Sequence, residues 1–131
     1  MTKIKPAFRS TTELANVQED FARAVEYGPM WVGEDALYIF DFYDTRYIPL
    51  QELVSIEMDV QDSAMCGCGC NLTAATPHDV KIVDKFGETF HTRAIDPNKI
   101  HYAAEKIKTL NPSMHFRTTG ANYSAAKRTD N

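Results

Sequence analysis

The stretch YIPLQELVSIEMDV, residues 47–60, reads as a strand, a tight turn and a second strand. Pro49 has no N–H to give to a ladder, so it closes the first strand or lies at an edge. Gln51 and Glu52 hold the turn. From Val54 onward the residues alternate. Val54, Ile56, Met58 and Val60 share one side; Ser55, Glu57, Asp59 and Gln61 share the other. A period of two with one apolar face predicts a half-buried strand of an antiparallel sheet.

Working outward, residues 36–42 (ALYIFDF) are aromatic and apolar enough for a preceding strand, and Asp44-Thr45 suits a turn into residues 46–50. Downstream, residues 79–84 (DVKIVD) and 88–95 (ETFHTRAI) predict a β-hairpin with Gly87 in its turn. Asp96 is a strong N-cap and Pro97 suits the first helical position. Ile100, Ala103, Ala104, Ile107 and Leu110 then form the apolar stripe of a last helix, stopped by Asn111-Pro112.

At the other end, Ser10 and Glu13 match the S-x-x-E capping box. Leu14, Val17, Phe21, Ala24 and Val25 recur at helical spacing, and Gly28-Pro29 is a stop signal. The expected organisation is therefore a flexible N-terminus over 1–9, a helix over 10–28, a sheet domain over 29–112 and a disordered polar tail over 113–131. With no β-α-β alternation, a parallel sheet is not expected. The predicted class is α+β: a strongly bent antiparallel sheet or open barrel of six to seven strands, capped by the C-terminal helix and preceded by an extra helix.

The length fits one domain with a real core. A net charge of −4 and a pI near 5.5 disfavour nucleic acid and anionic membranes, both of which select clustered Lys and Arg. The first ten residues lack the apolar run of a secretory signal, and no stretch reaches the length of a transmembrane helix, so the expected compartment is the cytoplasm.

The aromatic strand, the Ile48-Pro49-Leu50 segment with Leu53, Ile56 and Glu57, the late hairpin and the final helix together resemble bacterial pleckstrin-homology-like (PH-like) domains. The resemblance spans roughly residues 30–111. It implies a seven-stranded, strongly bent sheet capped by one helix, and binding of proteins, peptides or lipids rather than catalysis. Phosphoinositide-binding members carry Lys and Arg in the loop between their first two strands. Here that loop is Gly33-Glu34-Asp35, a departure that argues against phosphoinositide binding there.

All three cysteines fall in MCGCGCN, residues 65–71. On a straight strand Cys66 and Cys70 would lie about 13 Å apart, too far for a common ion, so only a backbone turned at Gly67 and Gly69 lets the thiols converge. Converged, with Met65 beside them, they would form a soft site for Zn or Cu(I). His78 or Asp79 would supply a fourth ligand from nearby in sequence and His91 from nearby in space. A redox role lacks the usual C-x-x-C, and the bland reading is a Gly-rich loop whose thiols act as small hydrophobes. No cofactor is otherwise expected. Glu57 and Asp59 share a strand face, which reads as a solvated face before it reads as an acid/base pair. Among the aromatics, Tyr43 and Tyr47 are the candidates for an exposed partner-binding edge.

The leading expectation is a non-enzymatic PH-like module recognising a protein or peptide partner. The alternative is a metal- or redox-responsive protein acting through Cys66, Cys68 and Cys70.

Overall fold

The computed structural model describes residues 3–41, 44–60 and 78–119. In chain order the elements are β1 (Ile4–Pro6), α1 (Val17–Ala22), β2 (Val25–Tyr27), β3 (Met30–Val32), β4 (Ala36–Asp41), β5 (Asp44–Pro49), a 3-10 turn (Leu50–Glu52), β6 (Leu53–Asp59), β7 (His78–Asp84), β8 (Thr89–Ala94), α2 (Pro97–Leu110) and β9 (His115–Thr119). The class is α+β. Among the described residues the strands form two sheets, ordered β1-β5-β4-β3-β2 and β8-β7-β6-β9, which do not close into a barrel.

The strand–turn–strand reading of residues 47–60 holds: Pro49 ends β5, the 3-10 turn follows, and β6 begins at Leu53. The alternation needs one correction. Ile56 and Met58 are buried, but a register shift against β7 between Leu53 and Ser55 turns Leu53 inward and leaves Val54 40% exposed. Such a bulge sets two residues against one and resets which side chains face the core. Asp44 and Thr45 belong to β5 rather than to a turn, paired with Asp41 and Phe40.

The first helix is much shorter than its apolar spacing predicts. Local and tertiary bonds to the side chains of Thr11, Glu52 and Tyr47 hold the residues before it out of helical conformation. The N–H of Phe8 donates to Thr11 Oγ1, the N–H of Leu14 donates to Tyr47 Oη at 3.1 Å, and Ser10 Oγ is buried with no partner among the described residues. Gly28-Pro29 is not a helix stop but the two-residue loop of the β2–β3 hairpin, which pairs Tyr27 with Met30. Gly28 has φ 64°, and proline holds the next φ near −65°; this is the glycine-first loop that suits the twist of paired strands.

Both termini also depart from expectation. β1 pairs with β5 and β9 with β6, each in parallel. Lys5 reaches Asp44 at 3.2 Å and Arg46 donates to the Pro6 carbonyl, tying down the N-terminal strand. Met114 is buried and starts the return of the chain along β6. These pairs add strands to sheets that are otherwise antiparallel meanders. They also bring the described strands to nine, not six or seven.

The main core lies between the inner faces of the two sheets and α2. Met30, Leu37, Ile39 and Ile48 from the first sheet meet Ile56, Met58, Val80 and Ile82 from the second and Ile100, Ala103 and Ile107 from the helix. As predicted, Asp96 caps α2 by accepting from the N–H of Asn98, with Pro97 in the first turn. At its far end Asn111 Nδ2 donates to the carbonyls of Leu50 (2.7 Å) and Leu53 (3.1 Å), pinning the helix to the turn that separates the sheets. A smaller cluster of Ala36, Tyr38 and Tyr47 on the other face of the first sheet is covered by Leu14, Val17 and Phe21.

Candidate functional site

The outward face of the second sheet carries two cross-strand rows. One runs Arg117, Glu57, Lys81, His91; the other runs Thr119, Asp59, Asp79, Arg93. Strand alternation puts these residues on one face, and pairing register lines them up. Arg117 meets Glu57 at 3.1 Å, Arg93 meets Asp79 at 3.3 Å, and Thr119 Oγ1 donates to Asp59 at 3.3 Å. These pairs are exposed and contribute little stability, but they engage Glu57, Asp59 and Asp79.

A cavity of about 920 Å³ lies against these rows. Its wall from the first sheet includes Trp31, Phe40 and Asp41; its wall from the second includes Glu57, Asp59, Lys81 and the consecutive run Phe90, His91, Thr92, Arg93. Trp31 is fixed by an edge-on contact with Phe21, 5.5 Å between ring centres. Phe40 is 53% exposed, a large apolar side chain left facing water. Asp41 is paired with Arg46 at 3.4 Å. The cavity therefore joins an aromatic wall to a wall of paired charges, the kind of surface that binds an amphipathic segment.

The sequence-predicted sites fare differently. Tyr47 is not an exposed binding residue: it is 3% exposed, and its hydroxyl is used by Leu14. It points toward α1, so covering that face of the sheet removed it from solvent. Tyr43, Cys66, Cys68 and Cys70 lie outside the described residues. His78 opens β7, buried and in register with Ala94. Among the described residues no three His, Cys, Asp or Glu side chains are grouped to hold a metal ion. Glu57 and Asp59 share a face as expected, but in the cavity wall and in cross-strand pairs.

Sequence reasoning missed Asp20. It sits on α1 at 0% exposure, and its carboxylate accepts from the N–H groups of Glu34 (2.9 Å), Asp35 (3.2 Å) and Ala36 (3.2 Å) and from Tyr38 Oη (2.8 Å). Successive backbone N–H groups turned to one side make an anion cradle, and here the chain fills it with its own carboxylate. Burial, and then the bond to Asp20, push the Tyr38 hydroxyl well above the usual tyrosine range. Gly33 is the one legible signal, because a Cβ there would overlap the Asp20 carboxylate. Three of the cradle's residues, Gly33-Glu34-Asp35, are the loop whose lack of phosphate-binding cations the sequence shows; it joins β3 to β4, and Ala36 opens β4.

No helix among the described residues is long and apolar enough to cross a membrane. Neither a family model nor a curated protein matches the chain.

Proposed function

We propose that the chain is a non-enzymatic PH-like binding module whose recognition site for a protein or peptide partner is the cavity lined by residues of both its sheets. The order of elements supports the fold half of this reading. β2 to β5 form a four-stranded antiparallel meander, β6 to β8 a three-stranded one, and α2 follows, giving seven strands and a capping helix. The parallel strands β1 and β9 are additions at the edges of that unit. The loop between the first two strands of that unit is Gly28-Pro29, which carries no Lys or Arg, and the cradle at 33–36 is filled by Asp20, so neither loop favours a phosphate.

The observation that carries the binding half is Phe40, half-exposed at the wall of a large cavity whose carboxylates Asp41, Glu57, Asp59 and Asp79 are engaged by neighbours. Carboxylates held in such pairs are poorly placed as free acids or bases, whereas an exposed aromatic beside them gains by being covered.

Trp31 is the sole tryptophan, so its emission reports on the cavity wall. Peptides selected by display against the full chain should shift that emission. Replacing Phe40 by Ser should weaken them about tenfold or more while leaving the melting temperature nearly unchanged. Selected peptides that bind Phe40→Ser as tightly as wild type, with Trp31 undisturbed, would refute the assignment.

A further inference from the structure

The cavity does not lie over one face of β8 but along it, since four consecutive residues, Phe90 to Arg93, line it. β8 is also an outer strand of its sheet; among the described residues nothing is hydrogen-bonded to its far side. The turn fixes which backbone groups point there. The N–H of Asp84 donates to the carbonyl of Glu88 at 3.0 Å, so these two form a hydrogen-bonded pair. Antiparallel pairs alternate. Ile82/Phe90 and Val80/Thr92 are therefore the bonded pairs, and Thr89, His91 and Arg93 turn their N–H and C=O groups to the open edge.

We infer that this edge takes up an extended partner segment in which apolar and acidic residues alternate, a reading that rests on the cavity being the recognition site. An added strand sets alternate side chains beside the two faces of its neighbour. On one face it meets Phe90, which stands edge-on to Phe8, 6.2 Å between ring centres, and lines the same cavity as Trp31 and Phe40. On the other it meets Thr89, His91 and Arg93, a face of β8 that carries no carboxylate. Lys81 lies next to His91 on the adjoining strand. The nearest acid on that strand, Asp79, is already held by Arg93, whose side chain remains 72% exposed. Apolar residues complement the first face and carboxylates the second, while a segment with Lys or Arg at the alternate positions would set like charges against Arg93.

The probe is a capped eight-residue peptide alternating Val and Glu, titrated onto the isotopically labelled full chain with amide shifts and amide exchange as readouts. The His91 and Arg93 amides should shift and gain protection. The matching Val/Lys peptide should bind roughly fivefold more weakly, the factor expected when the cross-strand pair with Arg93 changes from opposite to like charge. Methylating alternate peptide nitrogens should abolish binding without touching the protein, and Arg93→Glu should invert the preference. Shifts at Trp31 and Phe40 without protection along β8, or no preference for Glu over Lys, would overturn the inference and leave the cavity as recognition site. His91 and Arg93 amides already protected in the free chain would also overturn it, a second copy holding the edge if protection rises with concentration and the chain's own residues if it does not. Failure of every peptide to disturb the cavity would sink the recognition reading as well.

Discussion

Removing the Asp20 carboxylate should be among the most destabilising single changes in this protein. Four donors converge on it in a site without solvent: the N–H groups of Glu34, Asp35 and Ala36 and the Tyr38 hydroxyl, at 2.8 to 3.2 Å. Asp20→Ala leaves the three N–H groups unpaired and the Tyr38 hydroxyl with only its long bond to the Val17 carbonyl, at 3.4 Å. A buried orphan donor costs about 1–3 kcal/mol, and the costs are not additive because the loop relaxes and water enters the space. A net loss of about 3–5 kcal/mol is expected, the range for breaking a buried charged network from one side. For a chain of this size that lowers the melting temperature by roughly 10–20 °C. Asp20→Asn should recover only part of the loss, since its NH₂ group would face N–H donors.

Thermal and denaturant unfolding followed by circular dichroism measure both variants. Gly33→Ala supplies the cross-check: its Cβ would overlap the carboxylate, so the substitution should be costly in wild type and much milder in Asp20→Ala. If Asp20→Asn lies within about 0.5 kcal/mol of wild type, or Gly33→Ala costs the same in both backgrounds, the carboxylate does not hold this loop and the reasoning fails.

The same site predicts an alkaline limit. Tyr38 has a raised pKa, so above about pH 10 the unfolded chain releases a proton that the folded chain keeps. Stability from this group is full below that pH and falls by roughly 1.4 kcal/mol per pH unit above it, a slope that Tyr38→Phe should lack. Asn111→Ala should cost about 2 kcal/mol, because the Leu53 carbonyl loses its side-chain donor and the Leu50 carbonyl keeps only the Leu53 N–H; denaturant midpoints measure it, and a loss under 0.5 kcal/mol would mean α2 is held otherwise. Tyr47→Phe should cost about 1 kcal/mol through the orphaned Leu14 N–H and leave peptide affinity unchanged, which separates it from Phe40→Ser. Replacing Cys66, Cys68 and Cys70 together by Ser should change stability by less than about 0.5 kcal/mol, read from denaturant midpoints. A large loss of stability instead, together with metal measured in the wild-type chain, would favour the metal-responsive reading of Cys66, Cys68 and Cys70.

The parts of this protein that the sequence determined by itself are those whose cause is local. Asp96-Pro97 and the Ile100–Ile107 stripe specify α2 because cap and periodicity lie within one stretch. Gly87, at φ 83°, marks the β7–β8 hairpin because only a neighbouring turn asks for that angle. Alternation specifies Ile56 and Met58, and it fails at Val54, where a bulge depends on the partner strand. The tertiary structure alone decided the rest. Helical spacing over 10–28 survives only at Val17–Ala22: Tyr47 claims the Leu14 N–H from across the fold, while the loop at 33–36 holds Asp20 within the helix that remains. The parallel pairing of β1 and β9 rests on backbone hydrogen bonds, which every residue but proline can make and which leave no pattern in side chains. The cavity belongs with these: nothing local separates Phe40 from its buried strand neighbours, and only the packing of the whole chain leaves it uncovered beside Trp31 and Phe90.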